Sequence, residues 1–194
     1  MYAFGIQALA YGYDKFVAGG DASPMLYSKD GKTWTAVTDS TLYFINAITY
    51  GNNKFIAGGN GGKMEYSSDG IKWTLVDSKL SHFNAVAFGK DKFIAMGNFD
   101  DGDNGKIAYS SDGTTWTAIT TPFASVVAIA YGKGKFVAGG GGYSHDGRHL
   151  HLLLRRNGLF LWRHNMDNST EKHFRYNHNQ RHCLRRRQVC RSWR

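Results

Sequence analysis

The sequence predicts an all-β fold of repeated four-stranded antiparallel sheets, and three observations carry that prediction. A five-residue pattern, Ala8-Leu9-Ala10-Tyr11-Gly12, returns at 47–51, 85–89 and 128–132. A second pattern, Lys-Phe-Val/Ile-Ala, follows each copy after a short turn, at 15–18, 54–57, 92–95 and 135–138. A third, Tyr-Ser-x-Asp-Gly-x-x-Trp-Thr, closes three of the units at 27–35, 66–74 and 109–117. No stretch holds a 3.6-residue apolar period over helical length, so helices are not expected.

Each element follows from local chemistry. The Ala-x-Ala-aromatic and Phe-Val/Ile-Ala segments alternate small or β-branched residues with aromatics, which suits a pleated strand bounded by turn residues. They form the first two strands of a unit. The Tyr-Ser segment reads as the third strand and the residues after each tryptophan as the fourth. Asp30-Gly31, Asp69-Gly70 and Asp112-Gly113 are expected to supply tight hairpins between them, because Asp-Gly tolerates positive φ. Sheets are therefore expected over 6–38, 45–77 and 84–120, with a further hairpin at 126–139. The repeats run 1–40, 41–79 and 80–121, and a partial copy occupies 122–142.

Four strands per ~40 residues is the arithmetic of a propeller blade, whose neighbours cover faces that one sheet alone leaves exposed. About 3.5 blades fall within 1–142. Rings close with about 4–8 blades, so this β-propeller segment is expected to be open, with unclosed edges available for self-association. Met1 sits so close to the first strand that the chain is expected to be cut at that end as well.

The recurring Ser-x-Asp-Gly-x-x-Trp resembles the Asp-box, or BNR, repeat of sialidase-type β-propellers and of many non-enzymatic bacterial and phage surface proteins. The resemblance covers 1–142, and the box here lacks one residue that the usual box has between Asp and Gly. It implies structural roles for Ser28, Asp30, Gly31 and Trp34, for Ser67, Asp69, Gly70 and Trp73, and for Ser110, Asp112, Gly113 and Trp116. The aspartates would cap backbone amides of the turn, and the tryptophans would pack between strands or blades. It also implies a surface, secreted or phage-particle setting, which the sequence itself leaves unknown. No apolar run reaches membrane-helix length, and no leader pattern precedes a cleavage site.

Charge divides the chain in two. Residues 1–142 hold 12 Lys and no Arg against 11 Asp and one Glu, and are neutral overall. Residues 143–194 hold 11 Arg and one Lys against Asp146, Asp167 and Glu171, together with both cysteines and seven of the eight histidines. All of the +9 net charge is there. Codon logic suggests a change of reading frame near 139–142. Read one base later, the codon straddling Met166 and Asp167 must encode tryptophan, seven positions after a permitted tyrosine. The repeat has that spacing too. From Gln180 to Arg194 the shifted codons permit a copy of the pattern at Asn84–Gly97. The tail is accordingly expected to be out of frame, disordered and poorly packed.

Candidate chemistry is sparse. Sialidase chemistry needs arginines clustered on a substrate carboxylate and an acid paired with its nucleophile. Residues 1–142 have no arginine, and their lone glutamate, Glu65, reads as an exposed strand residue. The loop Asp100–Gly105 could offer oxygens to Ca²⁺, but an EF-hand register fails, and it reads as a solvated turn. His82 has no nearby His or Cys partner in sequence. In the tail, Cys183 and Cys190 miss the close spacing of zinc modules. His149, His151 and Arg185–Arg187 would bind nucleic acid only non-specifically. No catalytic, metal or cofactor residue is expected. The leading expectation is a non-enzymatic binding or structural module for a glycan or protein. One alternative is a fragment of a sialidase-like glycoside hydrolase whose catalytic residues lie in missing blades. A second is a β-domain with a basic nucleic-acid-binding tail.

Overall fold

The computed structural model describes residues 5–21, 23–97, 105–120, 126 and 128–139, and the backbone alone of 150–155, 158–163 and 173–175. Among them are four antiparallel sheets and no α-helix. The first sheet contains β1 (Ile6–Gly12), β2 (Lys15–Gly20), β3 (Leu26–Ser28) and β4 (Thr35–Ala36). The second contains β5 (Ile45–Gly51), β6 (Lys54–Gly59), β7 (Lys63–Ser67) and β8 (Thr74–Asp77). The third contains β9 (Ala85–Gly89), β10 (Lys92–Gly97), β11 (Lys106–Ser110) and β12 (Thr117–Thr120). Strands β13 (Ala128–Gly132) and β14 (Lys135–Gly139) open the fourth. In every sheet, strands follow chain order, so each strand pairs with its sequence neighbour.

Register repeats from copy to copy. Tyr11 pairs with Phe16, Tyr50 with Phe55, Phe88 with Phe93 and Tyr131 with Phe136. Their rings are tilted, with centroids 4.6–4.7 Å apart. Two-residue turns join these strands. Their central residues lie at positive φ, as at Tyr13-Asp14, Asn52-Asn53 and Lys90-Asp91, which is the backbone that matches strand twist in a tight hairpin. The Asp-Gly pairs are therefore not the tight hairpins. They lie within six-residue loops between the third and fourth strands, at 29–34, 68–73 and 111–116.

The core lies between sheets. Trp73, Ile45 and Phe55 of the second sheet are buried with Val17, Met25 and Val37 of the first unit. Trp116 and Phe93 of the third are buried with Ile56 and Met64 of the second. Ala138, Phe136 and Ile129 of the fourth pack with Ile94, Met96 and Ile107 of the third.

Part of the basic tail adds strands to the fourth sheet. Strands β15 (Leu150–Arg155), β16 (Gly158–Arg163) and β17 (His173–Arg175) continue the fourth sheet from β14, making it five-stranded. The physical reason is local. Leu150, Leu152, Leu153 and Leu154 form a short apolar run of the length a strand takes. Such a segment pairs with an open sheet edge whatever its coding history. Asp100–Asn104 of the acidic loop and Cys183, Cys190, His149 and Arg185–Arg187 lie outside the described residues.

Candidate functional site

The twelve box residues form three copies of one hydrogen-bonded turn. In the first, Ser28 Oγ donates to Asp30 Oδ1 (3.0 Å) and accepts from Gly31 N–H (2.9 Å). Lys32 and Thr33 N–H both donate to Asp30 Oδ1 at 2.8 Å. Ser67 and Asp69 repeat this with Gly70, Ile71 and Lys72. Ser110 and Asp112 repeat it with Gly113, Thr114 and Thr115. One carboxylate oxygen thus collects two amides and a hydroxyl, and the glycine supplies the positive φ that closes the loop (72° to 76°).

The amide donors favour the charged carboxylate. The amides of Thr33 and Lys32 lower Asp30 to about 2. Those of Thr115 and Thr114 lower Asp112 further. At Asp69, burial pushes upward, but the amides of Lys72 and Ile71 outweigh it, and Lys15 of the preceding sheet adds a favourable charge. These are the electrostatics of a cap.

The second and third turns also roof the sheet before them. A Cβ at Gly70 would lie 3.0 Å from Val17 Cγ2, and one at Gly113 would lie 3.0 Å from Ile56 Cδ1. Asn52 Nδ2 donates to Ser111 O across the same joint (3.0 Å). Trp116 Nε1 donates to Gly113 O (3.2 Å), whereas Trp73 Nε1 is buried without a partner among the described residues. Trp73 and Trp116 are 7% and 5% exposed, but Trp34, in the same motif, is 37% exposed. Motif position does not decide burial. A preceding sheet does, and none is described before the first.

A ring contact recurs at all three joints, and a side-chain amide adds to two of them. The glycine ending the first strand of one sheet receives the face of an aromatic ring from the next. Gly12 takes Tyr50, Gly51 takes Phe88 and Gly89 takes Tyr131. Side-chain amides then tie the strand starts. Asn46 Nδ2 donates to Phe83 O (2.7 Å) and Asn84 Nδ2 donates to Val126 O (3.0 Å).

Glu65 corrects the sequence reading. It is buried, not exposed, and accepts hydrogen bonds from Ser40 Oγ (2.7 Å), Thr41 N (2.8 Å) and Thr41 Oγ1 (2.7 Å). It pins the connection between the first two sheets. Strand alternation puts its side chain on a face, but only the fold brings residues 40–41 over that face.

The two ends of the sheets differ in regularity. The two-residue turns and six-residue boxes share one end and keep their lengths in the first three copies. At the other end, the β2–β3, β6–β7, β10–β11 and β14–β15 connections hold five, three, eight and ten residues. The sheet-to-sheet connections share that end, and there Tyr43 and Phe44 are exposed. Among the described residues, no three His, Cys, Asp or Glu side chains come together as a metal-binding group. No described helix is long and apolar enough to cross a membrane.

No protein-family model and no curated protein matches the sequence. Solved structures do match the fold. A chain of the nidogen/laminin complex is 14% identical with a TM-score of 0.60, covering 90% of this chain and 81% of that one. The computationally designed Ika4 protein is 16% identical with a TM-score of 0.54, covering 85% and 94%. The designed Ika8 protein is 18% identical with a TM-score of 0.50, covering 88% of this chain and 48% of its own. The structural neighbours are β-propeller proteins, and the four sheets are propeller blades.

Proposed function

We propose that the chain is a non-enzymatic binding module of the Asp-box, sialidase-like propeller type, which engages a glycan or protein ligand through the end carrying the variable connections. The observation that supports this most is the confinement of length variation to that end, opposite turns of constant length. Scaffolds that recognise ligands vary loops on a rigid frame. Tyr43 and Phe44 give this end exposed aromatic area, the kind of surface that anchors ligands. The lack of arginine in 1–142 argues against carboxylate-directed sialidase chemistry in these blades. In this reading Asp30, Asp69 and Asp112 brace the frame from the far end and touch no ligand.

The test is binding of the chain to a glycan array and to immobilised surface proteins, with Tyr43→Ser/Phe44→Ser and Asp112→Asn compared. Loss of signal in the aromatic pair and its retention in Asp112→Asn fits the proposal. Turnover of a sialoside substrate by the chain, or ligand binding indifferent to Tyr43 and Phe44, contradicts it.

A further inference from the structure

An Asp or Asn before glycine is where a chain can attack itself, because no β-carbon hinders the glycine nitrogen as it approaches the side-chain carbonyl. Four such pairs fall among the described residues: Asp30-Gly31, Asp69-Gly70 and Asp112-Gly113 of the boxes, and Asn60-Gly61. In the boxes the attacking atom is engaged, since Gly31, Gly70 and Gly113 N–H each donate to a serine Oγ at 2.8–2.9 Å. Their carboxylates collect amide donors and stay anionic, and an anion resists a nucleophile. Asn60 instead carries a neutral amide, whose Oδ1 accepts a hydrogen bond from Asn46 Nδ2 (3.2 Å). Gly61 follows at positive φ (68°), with no described atom within 4 Å of its Cβ position. We propose that Asn60-Gly61 is a self-modification site, where Asn46 promotes succinimide closure and residue 60 becomes aspartate or isoaspartate.

Asn46 is held for this role by the next blade. Its Nδ2 also donates to Phe83 O (2.7 Å), which leaves the second N–H directed at Asn60. The chain is anchored on both sides of Gly61. Asn60 N–H donates to Phe44 O (3.2 Å), and Gly62 O accepts from Ser78 Oγ (2.6 Å). Loss of the Gly61 N–H proton to hydroxide lets that nitrogen bond to Asn60 Cγ. Negative charge gathers on Oδ1, where the hydrogen bond from Asn46 strengthens with it. Collapse breaks the Cγ–Nδ2 bond, and the nitrogen departs as ammonia with a proton from water. Water then opens the ring. Cleavage at Cγ leaves aspartate at position 60, whereas cleavage at the main-chain carbonyl routes the backbone through the side chain as isoaspartate. The inference concerns the β6–β7 connection alone and is independent of the ligand proposed above.

The test incubates the full chain in mildly alkaline buffer, digests it with trypsin and follows the fragment Phe55–Lys63 by mass spectrometry. The expected result is two products of acid mass, one of them isoaspartyl, while fragments carrying Asp69 and Asp112 keep a single form. Asn60→Gln and Gly61→Ala lose the conversion. Asn46→Ala and Asn46→Asp, both without the donor and checked for folding by circular dichroism, slow it by about tenfold, less than the loss of a donor from a water-excluded oxyanion hole. Asn84→Ala removes the matching bond at the next joint, from Asn84 Nδ2 to Val126 O (3.0 Å), and leaves the rate unchanged. In urea, wild type and both Asn46 variants convert alike. An unchanged fragment, box aspartates that isomerise as fast, equal rates for the folded wild type and Asn46 variants, or a difference that persists in urea would each overturn the inference. Because the products are read by mass without ligand, failure of glycan or protein binding leaves this result unaffected.

Discussion

Substituting one repeated glycine at two copies should have opposite consequences. At Gly51, an alanine methyl would fall within the ring of Phe88, so the ring must retreat or the two blades must part. Overpacking of this kind costs about 1–3 kcal/mol. Retreat also disturbs the Phe88–Phe93 pair, now 4.7 Å between centroids, and such pairs contribute about 0.5–1.5 kcal/mol. Gly51→Ala is thus expected to destabilise by about 2–4 kcal/mol. Gly132 occupies the same position in its strand and, among the described residues, has nothing within 4 Å of its Cβ position. Gly132→Ala there should gain about 0.4–1 kcal/mol by restricting the unfolded chain. Urea titrations followed by tryptophan fluorescence report the shift in midpoint. Equal losses in both variants would refute the reasoning, since it would mean that the neighbouring blade does not decide the cost. A Gly51→Ala chain as stable as wild type would refute it too.

Three other perturbations test the frame. Glu65→Ala removes the acceptor of Ser40 and Thr41 and should cost about 1–3 kcal/mol, read as a lower urea midpoint, with fast amide exchange appearing at Thr41. Asp69→Ala leaves the Ile71 and Lys72 amides and the Ser67 hydroxyl without their acceptor, and the turn is partly roofed. A loss of about 1–2 kcal/mol is expected, larger than for Asp30→Ala, whose turn has no blade before it. Acid should act through the same carboxylates. The folded pKa of Asp30 lies near 2, below its ordinary value of 3.8, so its contribution is complete above about pH 4 and is lost as pH falls from there through about 2. Urea midpoints measured from pH 5 to pH 2 should fall in that window, and the fall should shrink in Asp30→Asn.

Much of this architecture can be read from the chain. The expected sheets at 6–38, 45–77 and 84–120 match strands running over Ile6–Ala36, Ile45–Asp77 and Ala85–Thr120, because strand chemistry repeats copy after copy and each copy fixes the phase of the others. The turns are less legible. Asp-Gly signals positive φ wherever it occurs, but it does not say whether a two-residue hairpin or a six-residue capped loop will use it. Of the true tight turns, Asn52-Asn53 and Lys133-Gly134 hold residues suited to positive φ, whereas at Tyr13-Asp14 and Lys90-Asp91 the paired strands impose a backbone that local preference does not advertise. The different fates of Trp34 and Trp73, or of Gly132 and Gly51, are invisible in motifs that are identical by construction. They depend on which neighbour stands next to the blade. Glu65 shows the same limit, because its partners approach from a connection 24 residues earlier.

Because every apolar cluster among the described residues straddles two blades, none of these clusters belongs to one blade alone. Folding free energy should then accumulate by nearest neighbours, with single units unstable and adjacent pairs able to nucleate. Amide protection should be greatest in the second and third blades, each clasped on both sides, and should fade outward toward the first and fourth. Duplication of one unit adds a complete joint and changes nothing already made, so a gene coding for such an array can lengthen or shorten one copy at a time without redesigning its interior.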